Sequence, residues 1–322
     1  MKVTNDWYDS FIQMLHEEYP SKTKLTEALM DLLIIEREAV HRRLRKDVMF
    51  TAHEMVKIIS ALGISLDELL DFHNYKTIFQ MQFFDYFKLS EEDINFLRER
   101  NQKLKGLKDS TDSEYMMVCN NLSRSLTSGF IHLHKFNIFK WAYEYYNKEK
   151  GNIHYSRVNI SEELLTEMTN YFQCVKYAAS TTYVLDARIF QGIVSEVKFF
   201  HSMFLITDEE KEFIKKDLYN LLKYLLEIAN TGYFPDTNNK INLYISELNI
   251  NSNYSYFYDG KVTECRTHIF NLYDMVLHNQ KMEKVFKKWM WAKKETSIKI
   301  SESDAKFRVE FFRKQHELID TL

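Results

Sequence analysis

The sequence predicts a mainly α-helical protein in two parts. A five-helix domain spans residues 1–72, and a larger helical domain spans residues 73–322 and contains a small antiparallel sheet at about residues 241–270. Three observations carry this expectation. Only seven glycines and two prolines, Pro20 and Pro235, interrupt 322 residues, too few for the turns of a sheet-rich fold. Apolar residues recur at helical spacing through most of the chain. One region alone alternates with the period of a strand.

The first helix is expected from about Asn5 to Tyr19, where Trp7, Phe11, Met14 and Leu15 share a face, and Pro20-Ser21 ends it. A second, Thr23 to Leu33, turns Leu25, Leu29, Leu32 and Leu33 inward. After a turn at Ile34-Ile35, a third helix from Glu36 to Arg45 turns Val40 and Leu44 one way. Its other side carries Arg37, Glu38, His41, Arg42 and Arg45. Thr51-Ala-His-Glu54 is a capping box opening a fourth helix with Met55, Ile58, Ile59 and Leu62 on its apolar stripe. Gly63 fits its left-handed end, and Ser65-Leu-Asp-Glu68 opens a short fifth helix to about Phe72.

Beyond Phe72, caps at Ser90 with Asp93, Ser161, Thr207 with Glu210, and Ser301 with Asp304 mark further helix starts. Helical periodicity runs through Asn137–Tyr146, Leu164–Tyr177, Ala187–Phe200 and Phe213–Ala229. In the exceptional region, Ile241, Leu243 and Ile245 alternate with polar residues, and Tyr254, Tyr256 and Tyr258 alternate again. Asp259-Gly260 then signals a hairpin before Val262–Phe270.

Bulk properties exclude several function classes. The net charge of −3, with residues 1–72 themselves acidic, argues against coating by basic residues for nonspecific nucleic-acid binding. No run of 18 apolar residues occurs and the start lacks a signal-peptide core, so a cytoplasmic protein without membrane contact is expected. Cys119, Cys174 and Cys265 are odd in number and far apart, which fits reduced core thiols. No nucleophile-base pairing, metal spacing or glycine-rich phosphate loop is recognisable, so neither an enzyme nor a cofactor is expected.

The order of helix, turn, arginine-bearing helix, capped fourth helix and GISLDEL resembles the Cro/C1-type helix-turn-helix domain. DLLIIEREAVHRRLRKD is similar to the DNA-binding segment of bacterial regulators related to the BetR type, whose usual pattern is DLLGIS, two variable residues, then AAYRRLRGE. Asp31, Leu32, Leu33, Ile35, Ala39, Arg42, Arg43, Leu44 and Arg45 match it. FIHLHKFNIFKWAYEYY, NLYISELNI and SIKISESDAKFRVEFF resemble segments of that group's long C-terminal region. Among the departures from the pattern, Ile34 and Lys46 replace its two glycines, Glu36 its capping serine and His41 its tyrosine. A β-branched residue at a turn that requires positive φ is costly.

The resemblance implies a transcription regulator that binds double-stranded DNA. Arg37 and Arg42 would then read guanine edges, with Glu38 and His41 beside them. Arg43, Arg45, Lys46, Lys22 and Lys24 would meet phosphates. A homodimer is expected because such readers bind paired half-sites. Ile94, Leu97, Asn101 and Leu104 recur at coiled-coil spacing as a candidate dimerisation face, and a helix packed inside the second domain explains the same spacing. The second domain would bind a small-molecule or peptide effector. The alternative is a helical peptide- or protein-binding scaffold whose first domain has weak or no DNA affinity.

Two further patterns have ordinary structural explanations. His132 and His134 lack a nearby acidic or cysteine ligand, which favours packed histidines over a metal site. In KVFKKWMWAKK, residues 284–294, Val285, Trp289 and Ala292 form an amphipathic core stripe with lysines outside.

Overall fold

A computed structural model describes residues 6–19, 21–62, 79–150, 153–269, 272–277 and 280–322. The chain separates into two compact units, residues 1–78 and 79–322. The described part of the first unit is helical: α1 (Asp6–Glu18), α2 (Lys22–Leu33), α3 (Arg37–Leu44) and α4 (Ala52–Leu62). The expected fifth helix after Ser65 lies outside the described residues. Tyr8, Phe11 and Leu15 of α1 meet Leu25, Leu29 and Leu33 of α2, Val40 of α3 and Ile58 of α4 in one core. The apolar stripes in the sequence converge there, since removing them from water is the main favourable term in so small a unit.

The second unit corrects the expectation of a mainly helical fold with a small antiparallel sheet at residues 241–270. It is built on an eight-stranded mixed sheet, β1 (Phe79–Met81), β2 (Glu114–Cys119), β3 (Ser180–Asp186), β4 (Lys240–Ser246), β5 (Tyr254–Tyr258), β6 (Thr263–Ile269), β7 (Tyr273–Leu277) and β8 (Ile298–Lys299). The order across the sheet is β1-β7-β6-β5-β2-β3-β4-β8. β2, β3 and β4 are parallel neighbours, and the remaining pairs are antiparallel. Parallel neighbours require long crossovers. Here these hold α6 (Arg124–Thr127), α7 (Ile131–Lys150) and α8 (Glu162–Cys174) between β2 and β3, and α9 (Gln191–Ser202) and α10 (Asp208–Thr231) between β3 and β4.

β2 and β3 escape a periodicity search for a physical reason. Tyr115, Met117, Cys119, Tyr183 and Leu185 join the core on one face of the sheet, while Met116, Val118 and Val184 join the core on the other. A strand buried on both faces has no polar side, so its period of two disappears. The Asp259-Gly260 hairpin forms as expected, β5 pairing antiparallel with β6. Ile241–Ile245, however, pairs in parallel with β3 and not with the hairpin.

One face of the sheet carries most of the helices, including α5 (Glu91–Lys105) and α12 (Ala305–Asp320); the other packs on α11 (Gln280–Glu295). The expected α11 stripe is corrected too: Met290 is buried, with Phe286 and Trp291 against the sheet, while Val285 and Trp289 are exposed. Local signals otherwise decide helix ends. Capping boxes at Ser90/Asp93 and Thr207/Glu210 open α5 and α10, and α10 stops at Gly232 with φ 71°. Asp304 itself caps α12, while Ser301 accepts a hydrogen bond from the Leu243 amide at 3.0 Å. No described helix is long and apolar enough to cross a membrane.

Candidate functional site

In the first unit, Ile34 ends α2 in the left-handed region, φ 57° and ψ 52°, with its amide bonded to Met30 O at 2.9 Å. Lys46, beyond α3, is also left-handed with φ 67°. These are the two positions where the resembled pattern has glycine, so the turn is kept, with strain, instead of being rebuilt. Glu36 adopts the extended backbone of an N-cap, but its side chain makes no cap hydrogen bond.

The cations of α3 divide by their partners. Arg43 is committed inside the unit: Nε and Nη2 donate to Glu54 Oε2 and Oε1 at 3.0 and 2.8 Å, and Nη1 donates to Ala39 O at 3.0 Å. Glu54 also accepts from the Thr51 amide at 2.8 Å, so Arg43 locks α3 to the capping box of α4. The phosphate role expected for Arg43 therefore conflicts with its packing. Arg45 pairs with Glu38 at 2.9 Å and Asp47 at 3.1 Å, Lys46 pairs with Asp9, and Arg37 lies 4.0 Å from Glu27. Arg42, Lys22 and Lys24 are exposed and ion-paired to no described residue; His41, half-buried, flanks Arg42.

In the second unit, Ile94, Leu97, Asn101 and Leu104 all face inward from α5, where the helix packs on α8. Asn101 is 1% exposed, and its Nδ2 donates to Glu167 O and Oε2 at 2.8 and 2.9 Å. The reading as a helix packed inside the domain describes these four residues; they offer no surface to a second copy. His134 is buried on α7 with neither ring nitrogen partnered among the described residues, and burial with the nearby Arg124 charge lowers its pKa to about 3. His132 stacks on Phe213, and no three described His, Cys, Asp or Glu side chains converge as a metal site.

The structure brings together a constellation that the sequence does not announce. Glu264, Arg266 and His268 alternate along β6 and so share one face, opposite Cys265 in the other core. They meet Asp274 of β7, Arg124 of α6 and Arg100 of α5. Asp274 Oδ1 lies 2.7 Å from Arg124 Nη2 and 2.8 Å from His268 Nδ1, and Arg266 pairs with Glu264 and more distantly with Asp274. Burial raises the Asp274 carboxyl, but Arg124, His268 and Arg266 outweigh it and hold it well below the usual carboxylate range.

Arg100 has no such counter-ion among the described residues. It is 8% exposed, its Nε and Nη2 have no hydrogen-bond partner among the described residues, and its guanidinium carbon sits 4.5 Å from the Tyr171 ring centre. Burial, with Arg124 adding to it, pushes its pKa down. Arg100, Arg124, Glu264, Arg266 and Asp274 line a cavity of about 370 Å³, together with Phe84, Phe96, Leu272 and Tyr273. The alternating E-C-R-T-H of β6 was the available signal; without β7 and α5 beside it, it reads as a solvated strand face.

No family model, no curated protein and no solved structure matches the chain. The helix-turn-helix reading therefore rests on the residues and geometry of the first unit alone.

Proposed function

We propose that the protein is a cytoplasmic, sequence-specific DNA-binding transcription regulator whose first unit reads the major groove through α3. The observation that carries this reading is Arg42, exposed and without an ionic partner among the described residues, on the same short helix as His41 and the exposed Arg37 and following the corner at Ile34. A guanidinium free at the surface can make two parallel hydrogen bonds to guanine O6 and N7. Lys22 and Lys24, exposed at the start of α2, supply phosphate contacts that set the orientation. Arg43 acts on this face indirectly, by holding α3 against α4. Two copies on paired half-sites belong to the same proposal, joined by surfaces other than Ile94, Leu97, Asn101 and Leu104.

The test is selection of bound duplexes from a random DNA library by the full chain, followed by anisotropy titration of the enriched site. Enrichment of one motif, with affinity reduced about tenfold by Arg42→Ala and falling steeply with salt, supports the reading. Absence of any enriched sequence and of binding at low salt overturns it.

A further inference from the structure

We infer that the cavity under Arg100 binds a small phosphorylated molecule with an aromatic body, of the size and chemistry of a mononucleotide. Arg100 is more than nine-tenths buried, lines the cavity and leaves Nε and Nη2 without acceptors among the described residues. A guanidinium stays charged in a protein, and burying a charge without a counter-ion is costly. The Tyr171 ring at 4.5 Å offsets only part of that cost. An anionic ligand supplies the missing partner.

The neighbouring donors point to phosphate. Arg124 Nη2 is held by Asp274 Oδ1 at 2.7 Å, while its Nε has no hydrogen-bond partner among the described residues. Lys103 stands exposed at the rim, and the lining holds four cations against three carboxylates. Three separate donors suit a tetrahedral anion with three free oxygens better than a carboxylate with two. Phe84, Phe96 and Tyr273 give apolar and aromatic walls for the remainder of the ligand.

Size agrees with this class. About 370 Å³ falls in the range of small-molecule sites. The cavity's strand residues come from β1, β7 and β6 at one edge of the sheet, and its helical residues from α5 and from Arg124 of α6. The inference does not depend on DNA binding by the first unit.

The experiment is calorimetry and thermal melting of the full chain with adenosine, guanosine, cytidine and uridine monophosphates, ribose phosphate, inorganic phosphate, adenosine and benzoate. At least one nucleoside monophosphate is expected to bind in the micromolar range and raise Tm. Adenosine, benzoate and inorganic phosphate should each bind about tenfold more weakly or worse. Arg100→Gln, with circular dichroism as the fold control, should weaken nucleotide binding about tenfold. Lys103→Glu, on the exposed rim, should weaken it several-fold and serves if Arg100→Gln does not fold. Failure of every phosphorylated probe at millimolar concentration, or affinity unchanged in the folded variants, overturns the inference. Equal binding of benzoate overturns the phosphate assignment, and equal binding of inorganic phosphate overturns the aromatic body.

Discussion

Arg43 of α3 donates to both carboxylate oxygens of Glu54 on α4, at 2.8 and 3.0 Å, and both side chains are largely shielded from water. A two-bond pair of this kind is stronger than an exposed ion pair, which contributes little. It separates the arginines of α3 into one that builds the unit and others that face solvent.

Substitution should therefore split two neighbours. Arg43→Ala is expected to destabilise the first unit by about 1–3 kcal/mol, because it leaves Glu54 without its partner. Arg42→Ala should change stability by less than about 0.5 kcal/mol while reducing affinity for the selected DNA. Hydrogen exchange of peptides from residues 22–62 in the full chain measures the first effect, and anisotropy the second. Equal protection loss in both variants would contradict the division.

Ile34→Gly should stabilise the protein. A left-handed L-residue costs roughly 1–2 kcal/mol, and the lost freedom of glycine costs roughly 0.5–1 kcal/mol. Ile34 is 86% exposed, so little packing is lost. The net expectation is slower exchange across the α2–α3 turn by a gain of about 1 kcal/mol. Faster exchange there would show that the turn is not strained.

Asp274→Asn should cost about 3–5 kcal/mol near neutral pH, since Arg124 and, more distantly, Arg266 lose a buried counter-charge. The sign of its pH dependence follows from the depressed carboxyl pKa in the folded state. That stabilisation is complete above the unfolded carboxylate range, about pH 4, and is lost as pH falls through the folded pKa. Urea titrations of wild type and variant should therefore converge under strong acid. A constant gap down to pH 2 would refute the assignment.

His134 gives a second, separate pH signature. Its folded pKa of about 3 lies below that of an unfolded histidine, so the unfolded chain takes up the proton first. Its contribution is present above about pH 6.5 and is lost as pH falls, by about 1.4 kcal/mol per pH unit. His134→Leu should therefore flatten the stability profile between about pH 6.5 and 5 by about 2 kcal/mol, and remove two unpartnered ring nitrogens. An unchanged slope in denaturant titrations would mean that His134 already charges in the folded state.

The sequence by itself determined the elements whose signals are local. The stripes Phe11–Leu15, Leu25–Leu33 and Met55–Leu62 fixed the helices of the first unit, and Ser90/Asp93 and Thr207/Glu210 fixed the starts of α5 and α10. Asp259-Gly260 fixed the β5–β6 hairpin. Each depends on residues within about one helical turn of one another, where periodicity and capping act.

Tertiary structure decided the rest. β2 and β3 are strands because their neighbours in the sheet and helices on both faces bury every side, a condition that erases the alternation by which strands are read. The same assembly decided which charges have partners. Arg43 meets Glu54 across 11 positions of sequence, Asp274 receives Arg124 from a remote helix, and Arg100 receives no carboxylate among the described residues. Charge alone is written in the sequence. Whether a charge is solvated, neutralised or left waiting in a cavity depends on distances between remote segments, and only the folded chain sets those.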